Sequence, residues 1–112
     1  MSNTATFLGT GSSLGVPLVG CPCEVCRSEN PKKKRLRSSM LLDINGKLIV
    51  IDTGPDFRFQ ALRENLSFLD GVIFTHSHHD HVAGIDDLRV FSFKNKEPLP
   101  CLLSEETAED LE

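Results

Sequence analysis

The sequence predicts an α/β fold, a sheet with helical cover, and three observations carry that prediction. Stretches follow one another as strand, strand, strand, helix, strand, helix, strand, helix, and strands that alternate with helices pack as a covered sheet. Asn45-Gly46 separates two β-rich runs, and both residues tolerate the positive φ of a type I′ turn, so a hairpin is expected. Leu48-Ile49-Val50-Ile51 is apolar without interruption, as in a strand buried on both faces.

Thr4 to Leu8 reads as the first strand and runs into the Gly-rich stretch from Gly9 to Pro17. That stretch lacks the Gly-Lys-Ser/Thr ending of a phosphate-binding loop, and no helical pattern follows it, so it reads as a tight turn beside a site. Met40 to Ile44 and Lys47 to Asp52 are the hairpin strands. Pro55 suits a helix start, after which Phe57, Ala61 and Leu62 share one face as far as Asn65. Gly71 to Phe74 is a short buried strand. Ile85 to Phe91 reads as a helix, with Asp86 and Asp87 near its positive end. Leu99 to Leu103 is the last strand, and Ser104 caps a final helix whose first turn holds Glu105 and Glu106.

A chain of 112 residues with 39% apolar residues, seven Phe and neither Trp nor Tyr allows one modest, mainly aliphatic core. The net charge of -4 gives no global electrostatic reason to bind nucleic acid. Lys32, Lys33, Lys34, Arg35 and Arg37 run against that balance, as a solvated loop or as a rim that attracts phosphate. The start, Met-Ser-Asn-Thr-Ala, has no basic-then-apolar signal pattern, and no apolar run reaches bilayer length. A cytoplasmic location without a membrane partner is therefore expected. In such a reducing compartment, thiols serve metals or catalysis.

All four histidines lie in Thr75-His76-Ser77-His78-His79-Asp80-His81, directly after an apolar strand. Imidazole nitrogen and carboxylate oxygen are ligands of borderline divalent metals such as zinc, with manganese and iron also accepted. His76 and His78 are two apart, so an extended segment presents both to one ion, while Asp80 and His81 on the turn beyond can address a second. His76-x-His78-x-Asp80-His81 resembles the His-x-His-x-Asp-His signature of the metallo-β-lactamase superfamily. The resemblance implies two catalytic metal ions, the first on His76 and His78 and the second on Asp80 and His81. It also implies a catalytic role for Asp80 in holding the nucleophile, and leaves His79 at a variable position. Asp52, before Thr53-Gly54, matches the superfamily's first aspartate, which orients ligands from behind them. Gly84 to Arg89 resembles the helix after the signature, and the Gly9 to Pro17 loop and Arg89 are expected to line the substrate side.

Cys21-Pro22-Cys23-Glu24-Val25-Cys26 places three thiols within six residues, a pattern that reads as a zinc site with one ligand still to find. Cys101 is the remaining cysteine, and its apolar strand suggests a buried free thiol. Together with Phe7 to Gly11 and Gly15-Val16-Pro17, this cluster resembles the opening of PhnP-type cyclic phosphodiesterases. The relatives of that group include ribonuclease Z and a pyrroloquinoline quinone biosynthesis protein. The resemblance implies one structural zinc on Cys21, Cys23 and Cys26, whose fourth ligand in that group is a later histidine that this sequence does not contain.

The resemblance spans the chain but only the first part of the superfamily's pattern. It implies that residues 1–112 form the N-terminal half of one αββα metallo-β-lactamase sandwich, incomplete without a C-terminal half. An open apolar sheet face should then pair with that half or with a second copy of the chain. The expected activity is metal-dependent hydrolysis of a cyclic or small phosphodiester once the ligand sets are complete, with the isolated chain inactive. A tRNA 3′-processing nuclease of the ribonuclease Z type is the alternative, disfavoured by the acidic charge. A non-catalytic zinc-binding module is the alternative from another class.

Overall fold

The computed structural model describes residues 3–95 and 97–111. Five strands form one sheet in chain order: β1 (Thr4–Gly9), β2 (Ser39–Ile44), β3 (Lys47–Ile51), β4 (Gly71–Ile73) and β5 (Cys101–Leu102). β1, β2 and β3 run antiparallel to their neighbours, and β3, β4 and β5 run parallel. Parallel neighbours need a crossover. Helix α2 (Phe57–Arg63) supplies the first, and α3 (His79–Val82), a 3₁₀ turn (Ile85–Leu88) and α4 (Arg89–Asn95) supply the second. Two further helices are α1 (Glu24–Arg27) and α5 (Glu105–Asp110). No helix of the described residues is long and apolar enough to cross a membrane.

The hairpin forms where Asn45-Gly46 demands it, with φ of 53° and 82° at the two turn residues. Leu41, Val50 and Val72 stand in register across β2, β3 and β4, and all three are buried. They share one cluster with Phe57 of α2 and Phe91 of α4, whose rings meet edge to face at 6.4 Å between centroids. Burying each such side chain stabilises the fold by roughly 1.5–3 kcal/mol.

The opposite face carries a second apolar row. Phe7, Met40, Ile51, Ile73 and Leu102 lie side by side across all five strands. Its ends are open, with Phe7 66% and Leu102 67% exposed. The expectation that Leu48 to Ile51 is buried on both faces therefore fails. Only Val50 of that run is buried, because helices cover one side while the other is half open.

Most element ends shift by a residue or two from the sequence expectation, and three differences have a clear cause. The Ile85 to Phe91 helix is a 3₁₀ turn followed by α4, which keeps Leu88 and Phe91 both buried. The last strand shrinks to Cys101–Leu102, since Pro98 and Pro100 lack the N–H a longer ladder would use. The β3 ladder stops at Ile51, and Asp52 turns out of it with a φ of 64°.

Between β1 and β2 the chain folds on itself rather than making a simple tight turn. Val16 and Arg35 exchange backbone hydrogen bonds at 2.8 and 2.7 Å, and Gly11 N–H donates to the Leu36 carbonyl at 2.7 Å. A Cβ at Gly9 or Gly11 would collide with the carbonyls facing it, so close approach explains both glycines.

Candidate metal centre

The histidine segment leaves the carboxyl end of β4, beside the carboxyl end of β3, where ligands of α/β sheets commonly bind. Thr75, His76, Ser77 and His78 are non-helical, and α3 opens at His79, so Asp80 and His81 lie in its single turn. The rings of His76 and His78 meet at 4.5 Å between centroids, as neighbours two apart should. The rings of His76 and His81 come closer, to 4.1 Å.

Asp52 ties these parts together. Its carboxylate is buried, accepts the Thr75 backbone N–H at 2.8 Å and the Thr75 hydroxyl at 2.6 Å, and lies 2.7 Å from His81 Nδ1. The Thr75 hydroxyl oxygen also lies 2.8 Å from His76 Nδ1. His81 Nε2 is 3.1 Å from Asp80 Oδ2, so each nitrogen of that ring faces a carboxylate. Backbone bonds set the frame: Asp52 N–H to the Ile73 carbonyl, Thr53 N–H to that of His81, and Gly84 N–H to that of Thr53, all at 2.8–2.9 Å. Gly54 packs on the Asp80 carbonyl and Gly84 on the Gly54 carbonyl, with no room for a Cβ at either.

Asp52, His76 and His81 bring one ligand atom each within 4.8 Å of one another. Two imidazoles and a carboxylate suit a borderline divalent ion, and His78 and Asp80 stand beside the group as further donors. The sequence reading separated His76 from His81, as ligands of different ions. Their rings lie 4.1 Å apart, because the single turn of α3 folds His81 back over His76. Thr75 was not foreseen in any role. Its place at the strand end, directly before the cluster, was the available signal. Beside the centre, a cavity of about 470 Å³ is bounded by Phe7, Gly9, Thr10 and Met40 along with Asp52 and His81. The start of the Gly-rich loop thus meets the expected site, whereas Arg89 donates to the Asp86 carbonyl at 3.1 Å and does not line this cavity.

Cys21, Cys23 and Cys26 form a second group, their sulfurs within 4.8 Å of one another. Cys23 stands at the N-cap of α1, and its sulfur accepts the Cys26 N–H at 3.4 Å. That hydrogen bond, then the Cys21 and Cys26 thiols, lowers the Cys23 thiol from 9.0 to about 7. The Leu18 N–H works to lower Cys26 as well, but the neighbouring thiols and desolvation outweigh it and raise that group. Three clustered thiols with one already acidic suit zinc. Cys101 lies outside the group and is exposed on β5, so the expected burial is not met, because the short edge strand leaves it uncovered.

A family model described as a beta-lactamase superfamily domain matches residues 47–112. An octanoyltransferase of Porphyromonas gingivalis is 57% identical over 84 residues, which are 74% of this chain and 17% of that protein. A ribonuclease Z of Bradyrhizobium diazoefficiens is 35% identical over 85 residues, 74% of this chain and 23% of that protein. The crystal structure of a diphosphatase from the PhnP family superposes with a TM-score of 0.94 at 45% identity, covering 98% of this chain and 45% of that one. The chain therefore spans less than half the length of each of these proteins.

Proposed function

Because the chain belongs to the β-lactamase superfamily, on a metallo-β-lactamase fold close to the PhnP type, we propose that it supplies the metal-binding part of a hydrolase for cyclic or small phosphodiesters. The convergence of Asp52, His76 and His81 within 4.8 Å, at the carboxyl ends of β3 and β4, supports this reading most. Here His76, His78, Asp80 and His81 hold two divalent ions, zinc first, with manganese or iron on the same donors. Bound there, such ions supply Lewis acidity and neutralise charge on the phosphoryl oxygens. Asp52 orients the His81 ring through Nδ1, Thr75 holds Asp52 and His76 in one hydrogen-bonded row, and Asp80 positions the attacking water. Cys21, Cys23 and Cys26 hold a structural zinc in a reducing, cytoplasmic setting. The open sheet face receives the rest of the sandwich or a second copy.

The similar diphosphatase extends the substrate class to small diphosphates. The ribonuclease Z relative and the basic run favour a second reading, an RNA-processing nuclease. Turnover by the zinc- or manganese-loaded chain of bis(p-nitrophenyl) phosphate, a cyclic ribose phosphate, inorganic diphosphate and a precursor tRNA separates these. Hydrolysis of a small ester, lost in His78→Ala, is the expected result once a partner completes the ligands. Preferred cleavage of the tRNA would favour the nuclease, and bound metal without turnover would leave a zinc-binding module.

A further inference from the structure

The basic run is exposed from Lys32 to Arg35 and half-buried at Arg37, and its members divide between two places. Lys32, Lys34 and Arg35 line a basic cavity of about 360 Å³, joined there by Arg63 from the end of α2. Arg37 does not line the basic cavity: its Nη1 pairs with Asp56 Oδ1 at 3.1 Å and its Nε donates to the Ser13 carbonyl at 3.0 Å. None of the residues lining the cavity is acidic. Four cations thus face one small space in a chain whose net charge is -4.

Neutral oxygens hold the Arg35 guanidinium, and a carbonyl and one carboxylate hold that of Arg63. Arg35 donates from Nη1 to the Thr10 hydroxyl at 2.8 Å and from Nε to the Lys32 carbonyl at 3.1 Å. Arg63 donates from Nη2 to the Leu8 carbonyl at 2.8 Å, and its Nε meets Glu64, outside the lining, at 3.0 Å. No carboxylate of the described residues pairs with Lys32, Lys34 or Arg35. A fixed, unneutralised fork such as that of Arg35 suits a phosphoryl group, since the ordering cost is already met by the fold. The volume is that of a small-ligand site rather than a groove that tracks a polynucleotide.

Phe7, Gly9 and Thr10 line this cavity and also the one that holds Asp52, Thr75 and His81, so the two spaces share a wall. We propose that the basic cavity is an anion subsite, taking the second phosphate of a small substrate whose other phosphoryl group lies at the metal centre. The assignment of the second phosphate rests on the hydrolase reading, whereas anion binding itself does not.

Calorimetric titration of the chain with inorganic diphosphate tests the subsite in wild type, Lys32→Gln/Lys34→Gln and His76→Ala/His78→Ala. Among the described residues the two lysine side chains have no ion-pair partner, so their loss should leave the circular dichroism spectrum and melting unchanged. The expected result is binding at least about tenfold weaker in the lysine variant, weakened further by salt, and largely kept in the histidine variant. Unchanged affinity in the lysine variant, or loss confined to the histidine variant, would overturn the subsite, since the metal centre alone would then hold the anion. Displacement of diphosphate by a short RNA at lower concentration than by diphosphate itself would also overturn it, in favour of a polynucleotide surface. Absence of hydrolytic turnover even with the ligand sets completed by a partner would remove the hydrolase reading and leave these binding results standing.

Discussion

The Nδ1 atom of His81 sits 2.7 Å from Asp52 Oδ2, the same oxygen that accepts the Thr75 hydroxyl at 2.6 Å. One buried carboxylate thus sets both the tautomer and the tilt of a candidate metal ligand, which leaves Nε2 for an ion. Asp52→Asn keeps a residue that tolerates the φ of 64° while removing the charge. Zinc at the histidine cluster should bind about 10- to 100-fold more weakly, read by competition with a chromophoric chelator. Equal affinity would reduce Asp52 to a purely structural role.

The two candidate sites are separate groups of ligands, so their metals should be lost separately. Native mass spectrometry of Cys23→Ser should show the loss of one zinc, and of His76→Ala/His78→Ala the loss of the others. Simultaneous loss from either variant would mean that one metal supports the fold around both sites.

Thiolate is the reactive form of cysteine, and a pKa lowered to about 7 makes half of Cys23 thiolate near neutral pH. In zinc-free protein, carbamidomethylation at Cys23 should rise with pH, reach half its limit near pH 7 and flatten above it. Cys26, raised instead, should lag at every neutral pH. Zinc should protect both. Equal rates at the two positions throughout would refute the hydrogen-bonded cap as the cause.

Gly84→Ala would drive a methyl group into the Gly54 carbonyl and to 2.9 Å from Phe57 Cβ. Overpacking there should cost about 3 kcal/mol, seen as a lower urea midpoint. Since Gly54 also packs on the Asp80 carbonyl, zinc affinity should fall with it. A variant as stable as wild type would show that the crossover yields easily.

The apolar row from Phe7 to Leu102 predicts association at micromolar concentration in sedimentation, and Phe7→Lys, on the edge strand, should shift the population towards monomer. A wild-type chain that sediments only as monomer would sink this expectation.

What was legible in the sequence was mostly local. Asn45-Gly46 fixes its hairpin through backbone preference, and five ligand-type residues after one apolar strand declare their chemistry wherever they fold. The rest depended on residues distant in sequence. Whether Arg37 or Arg35 faces a cavity depends on Asp56 and Thr10, which no pattern within the run reveals. The pairing of His76 with His81 required knowing that α3 makes a single turn, and the role of Thr75 required Asp52 beside it. The burial of Leu48 to Ile51 was overestimated because an apolar run looks the same whether one face is covered or two. The split of Ile85 to Asn95 into a 3₁₀ turn and a helix was equally hidden, as both bury residues three and four apart.

The two-residue connection between β2 and β3 also bears on the order of assembly. Short hairpins close within microseconds, whereas His81 must be brought to Asp52 across 29 positions of chain. The carboxylate at the end of β3 is therefore in place before the ring it orients. During refolding, zinc should leave the hairpin phase unchanged and act only on the last step, when the crossover from β4 settles.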